Sequence, residues 1–120
     1  MIDKIKLQAE LKHFTESEQI FYNPLFPKFR YTDGVKYLAQ EAHCYWLLDH
    51  IFIHQHLEEI RKNHFQVWKL KVAKGDASTI TVEDGNSNLI KSFKLEYTDF
   101  PLDEIDLWFI EGTLILPTEY

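Results

Sequence analysis

The sequence predicts an α+β fold: N-terminal helices, including one long central helix, packed on a four- to five-stranded antiparallel meander. Two observations lead there. Apolar residues recur at helical spacing as far as about Lys62, and from Phe65 onward the period changes to two. The helical patterns also precede the strands instead of alternating with them, which separates α+β from α/β. The chain has 120 residues, 45% of them hydrophobic and 15% aromatic. Residues 1–120 therefore read as a single domain with enough apolar surface for a core without staples.

The elements follow in order. Ile2 to Phe14 reads as a short helix with a rough one-sided pattern of Ile5, Leu7, Leu11 and Phe14. Thr15 to Glu18 matches a capping box, and a turn of helix is expected through Ile20 and Tyr22. Asn23-Pro24 and Phe26-Pro27 stop it, because a residue before proline avoids the helical region. Phe21, Tyr22, Leu25, Phe26, Phe29 and Tyr31 make this linker too aromatic to be solvated, so it is expected to pack or to bind.

The central helix occupies the stretch from Tyr31 to Leu57 and continues to about Lys62. Thr32 and Asp33 can cap it with a short side-chain oxygen. Val35, Leu38, Ala39, Ala42, Tyr45, Trp46, Ile53, Leu57 and Ile60 form its apolar stripe. Strands are expected over Phe65 to Ala73, Ser78 to Glu83, Leu89 to Tyr97, Ile105 to Ile110 and Thr113 to Leu116. Lys74-Gly75-Asp76, Asp84 to Asn88 and Glu111-Gly112 are the turns between them. The last hairpin is apolar on both faces, so its second face is either covered or an interface.

Composition excludes several classes. The formal charge of −6 lacks the basic footprint of a non-specific nucleic-acid binder and suits a basic partner surface. Cys44 is the one cysteine, which rules out an intrachain disulfide and fits a reducing cytoplasm. No apolar run approaches the roughly 18 residues of a membrane span. The four glycines are isolated, so there is no phosphate-binding loop. Asp84 to Asn88 resembles part of a calcium loop, but Leu95 stands where the twelfth-position glutamate belongs.

Two constellations on the central helix invite chemistry. His50, His54 and Glu58 lie at i, i+4 and i+8, and two histidines at i, i+4 can hold one metal ion. The spacing lacks the glutamate of HExxH, so a solvated or partner-facing polar stripe is the first reading and a metal site the second. Asp49 falls on the apolar stripe between Trp46 and Ile53. It needs a hydrogen-bond partner there, or serves as an acid or base in a cleft. Cys44 has no adjacent base on its own face and is not a nucleophile candidate.

Tyr31 to Ala39 (YTDGVKYLA), Tyr45 to Asp49 (YWLLD), Phe65 to Leu70 (FQVWKL), Asp84 to Asn86 (DGN), Tyr97 to Leu102 (YTDFPL) and Leu116 to Tyr120 (LPTEY) occur in that order. Together they resemble a small bacterial family of unknown function found often on plasmids, phages and other mobile elements. The resemblance implies no activity and no catalytic residue. It implies a mobile-element accessory protein, a setting in which small acidic proteins often inhibit host defence systems.

The expectation is a non-enzymatic, cytoplasmic binding protein without a cofactor. It would occupy a protein partner such as a CRISPR-type host defence effector, through Phe26, Phe29, Asp103, Asp106 and Trp108. The alternative is a small-molecule or metal site on the central helix built from Asp49, His50, His54 and Glu58. A homodimer through the terminal hairpin is a third possibility.

Overall fold

The computed structural model describes residues 3–16, 19–73 and 77–120. Ile2, the Ser17 and Glu18 positions of the expected capping box, and the Lys74-Gly75-Asp76 turn lie outside the described residues. Helix α1 (Lys4–Leu11) starts where the Asp3 carboxylate accepts hydrogen bonds from the Ile5 and Lys6 amides, at 2.7 and 3.3 Å. It buries Leu7 and Leu11, whereas Ile5 is exposed.

The aromatic linker is not irregular. It forms two short strands, β1 (Ile20–Tyr22) and β2 (Arg30–Thr32), so the turn of helix expected at Ile20 and Tyr22 is extended instead. The loop between them is organised by Asn23. Its Oδ1 accepts from the Leu25 and Phe26 amides at 2.8 and 3.0 Å, an Asx turn that lets the chain reverse between two prolines.

The long central helix is also corrected. It is broken into α2 (Asp33–Glu41), α3 (Tyr45–Ile53), a 3₁₀ turn (His54–His56) and α4 (Glu58–Arg61). Thr32 caps α2 as expected, its Oγ1 accepting from the Val35 amide at 3.3 Å. The first break is at His43, whose φ of 53° is left-handed, the conformation with which many helices terminate. The break rotates α3 about its axis. Leu47, Leu48, Ile51 and Phe52 become the buried face, and Tyr45 and Ile53 are exposed.

The second break is held from the sheet. Gln55 and Gln66, both buried, exchange two amide hydrogen bonds of 2.8 and 2.9 Å. The Gln66 side chain also donates to the Ile60 carbonyl at 3.0 Å and accepts from the Trp68 indole at 2.9 Å. These bonds satisfy polar groups that would otherwise cost free energy in the core.

The expected strands form at β3 (Phe65–Lys71), β4 (Ser78–Asp84), β5 (Leu89–Leu95), β6 (Glu104–Ile110) and β7 (Thr113–Ile115). Asp84 closes the β4–β5 hairpin by accepting from the Asn86 and Asn88 amides. The sheet has seven strands in the order β1-β2-β7-β6-β3-β4-β5, not four or five in a meander. β2 and β7 pair in parallel, so the sheet is mixed. Residues 96–103 carry the chain back so that β6 pairs with β3, which gives the Greek-key order β6-β3-β4-β5.

One face of the sheet packs on the helices through Trp68, Leu70, Ile80, Val82, Leu107, Phe109 and Leu114. On β3, β4, β6 and β7 the alternate side chains point to the other face, and none of them is buried.

Candidate functional site

The open face of the sheet has an apolar half and a charged half. Strand register places Ile115, Trp108 and Val67 in one row and Thr113, Ile110 and Phe65 in the next. Phe65 and Trp108 lie 5.2 Å apart, and the Tyr120 ring lies over both, at 5.7 and 5.4 Å. On the other side of the Val67–Trp108 row lies the row of Asp106, Lys69 and Thr81. Lys69 reaches Glu83 at 3.5 Å. Asp106 is half-buried and, among the described residues, has no ion-pair partner within 4.0 Å. Burial raises its carboxyl above the ordinary range. Lys69 opposes that rise, and Glu104 and Glu83 reinforce it.

The five residues expected to share a binding surface do not. Asp106 and Trp108 stand together on the open face. Phe29 is on the helix side, stacked on Phe52 at 5.6 Å and edge-on to Phe109 at 5.6 Å, with Phe26 leaning on it at 6.3 Å. Asp103 is exposed in the loop before β6 and pairs with Lys4 at 3.0 Å. The aromatic signal in the linker therefore reports two strands and a packing cluster.

The helix candidates also separate. His50 and His54 are neighbours, with ring centroids 4.3 Å apart, and both pack on Phe93. Glu58 does not continue their face, because α3 ends at Ile53 and Leu57 is extended. Among the described residues, no three His, Cys, Asp or Glu side chains are grouped to hold a metal ion. Burial, with His54 beside it, lowers the His50 pKa to about 4. Asp49 is not on the core face. It is half-buried and accepts a 3.2 Å hydrogen bond from the Asn23 side chain, the structural role open to it. Burial pushes the Cys44 thiol up to about 12, which leaves it unreactive.

Several features had no sequence signal. Gln55 and Gln66 are ordinary surface residue types, and only the meeting of the 3₁₀ turn with β3 makes them a buried pair. Lys28, His56 and Arg61 come from separate segments to one pocket. Glu119 reaches back to the start of α2, where its Oε1 accepts from the Thr32 hydroxyl at 2.7 Å and the Leu116 amide at 2.9 Å. That contact joins the stretches Tyr31 to Ala39 and Leu116 to Tyr120.

A model of a protein family described as a family of unknown function (DUF6876) matches residues 5–120. The chain belongs to the DUF6876 family. The matched span takes in every element except Lys4, the first residue of α1, so the open face and the pocket lined by Lys28, His56 and Arg61 both belong to the DUF6876 fold. No curated protein and no solved structure matches the chain. Among the described residues, no helix is long and apolar enough to cross a membrane.

Proposed function

We propose that this DUF6876 chain is a binding protein that docks a basic protein surface on the open face of its sheet. The observation that carries this reading is the pair Trp108 and Asp106, an indole and a half-buried carboxylate with no ion-pair partner among the described residues, two residues apart on one strand face. Interfaces concentrate their energy in such aromatic anchors, with charged groups paired across the boundary. Asp106 is already partly desolvated, so a partner cation that pairs with it meets less of the usual penalty. Glu83 and Glu104 add acid around it, and the formal charge of −6 favours the same partner sign. Proteins that grip nucleic acid present such surfaces, and a CRISPR-type host defence effector is the partner class we propose.

The test compares the wild type with Trp108→Ala and Asp106→Asn against one purified partner, by calorimetry at two salt concentrations. Trp108→Ala is expected to weaken binding about 30-fold, near 2 kcal/mol. Asp106→Asn is expected to reduce the salt dependence. Unchanged affinity in a folded double variant removes the face from the interface. A second copy on the same face would instead appear as a dimer in light scattering that Trp108→Ala dissociates.

A further inference from the structure

On the helix side of the sheet, a pocket of about 340 Å³ opens between the β1–β2 loop and the end of α3. Its floor is aromatic, made by Phe26, Phe29 and Phe52, with Phe29 and Phe52 stacked at an interplanar angle of 25°. Its rim is basic: Lys28, His56 and Arg61 line it, and among the described residues no carboxylate does. In a chain with 19 acidic and 13 basic residues that is a local reversal of charge.

Among the described residues, no carboxylate lies within 4.0 Å of the charged nitrogens of Lys28 or Arg61. The Lys28 ammonium lies 5.2 Å from the Phe29 ring centroid. Arg61 donates from Nη1 to the Gln55 and His56 carbonyls, at 3.4 and 3.2 Å. Those bonds orient the planar guanidinium, and the rest of its donor fork is available to an anion. His56 has its Nδ1 against the Ile53 carbonyl at 2.6 Å, which leaves Nε2 as the ring's remaining polar atom.

The geometry points to a binding site for a small planar aromatic molecule that carries one carboxylate or phosphate. The rings take the aromatic body, and Lys28 and Arg61 take the anion by charge-assisted hydrogen bonds. The size is at the lower end of the roughly 300–1,000 Å³ of ligand pockets, which excludes a dinucleotide-sized cofactor. The site shares no residue with the open sheet face, so it stands or falls independently of the partner-binding reading.

The experiment titrates the full chain with phenyl phosphate, phenylacetate, benzyl alcohol and inorganic phosphate, following backbone amides of residues 26–29 and 53–61 by NMR. A saturable shift of those amides is expected with at least one of the two aromatic anions, and the tighter of the two identifies the anionic group. Benzyl alcohol and inorganic phosphate are each expected to bind about tenfold more weakly. Lys28→Gln, at an exposed position, is expected to weaken the aromatic anion with no change in melting temperature, and Arg61→Gln to weaken it further. The proposal is overturned if neither aromatic anion saturates, if the neutral alcohol or inorganic phosphate binds equally well, or if the folded Lys28→Gln protein binds as the wild type does.

Discussion

Gly34 leaves the space that Glu119 fills: a Cβ built on Gly34 would lie 2.8 Å from the Glu119 carboxylate. That carboxylate is held by Thr32 and by the Leu116 amide, so it cannot simply swing aside. It also stands at the positive end of α2, where an anion is favoured. The contact ties the last segment of the described chain to the start of α2.

Gly34→Ala is therefore expected to destabilise the protein by about 1–2 kcal/mol, although alanine is the better helix former. In a Glu119→Ala background the same change is expected to be neutral or stabilising, since the obstruction is gone. Chemical denaturation of the two single variants and the double variant gives the coupling energy. A coupling near zero would show that the two residues do not compete for this space.

The left-handed His43 makes the opposite prediction. A non-glycine residue at φ of 53° carries a steric penalty that glycine avoids. His43→Gly is expected to raise stability by up to about 1 kcal/mol, and His43→Ala to give no such gain. Thermal melts of both variants check this. Equal effects from Gly and Ala would mean that the histidine side chain, not the backbone, sets the cost.

The Gln55–Gln66 pair is expected to be costly to break. Gln66→Leu strands two buried groups that Gln66 now satisfies, the Trp68 indole N–H and the Gln55 side-chain oxygen. The expected loss is about 2–4 kcal/mol, accompanied by faster amide exchange over residues 54–61, where the helix restarts. Exchange that quickens uniformly across the chain would place the effect on global stability and not on this turn.

His50 predicts an acid-side loss of stability. Its folded pKa is lowered to about 4, whereas the unfolded chain takes up the proton near its ordinary value of about 6.5. Between those values the unfolded state binds more protons, so stability falls as the pH drops through the window and is unaffected above it. Denaturation midpoints measured from about pH 7 to about pH 4.5 are expected to fall more steeply for the wild type than for His50→Leu. Parallel slopes would remove His50 from the acid response.

Much of the sheet was legible locally. β3 to β7 lie close to where the alternation, the Asp84 to Asn88 turn and the Glu111-Gly112 turn put them. The cap at Thr32 was readable as well, because a cap depends on residues within one turn. The short strands β1 and β2 were not legible. Three residues carry too little period, and their extended form depends on β2 finding β7, which is about eighty residues away in sequence.

The candidate site divides in the same way. Trp108 stands out in the sequence because a strand that is apolar on both faces must expose one of them, and Asp106 because it belongs to the acidic cluster of Asp99, Asp103, Glu104 and Asp106; the two share the open face. Phe26 and Phe29 were selected for their aromatic character, which does not distinguish a binding surface from a packing cluster. His50 and His54 remain neighbours because α3 is intact between them, but Glu58 is lost to a break that no glycine or proline announces.

By itself, then, the sequence determined periodicity, caps, turns and the acid balance, all of which depend on near neighbours and composition. The tertiary structure decided the breaks in the central helix, the strand order and the basic aromatic pocket. Those rest on groups far apart in the chain: Gln55 with Gln66, β2 with β7, Gly34 with Glu119, and Lys28 with Arg61. Whether such groups meet is set by what the whole core must bury and hydrogen-bond, which no single segment specifies.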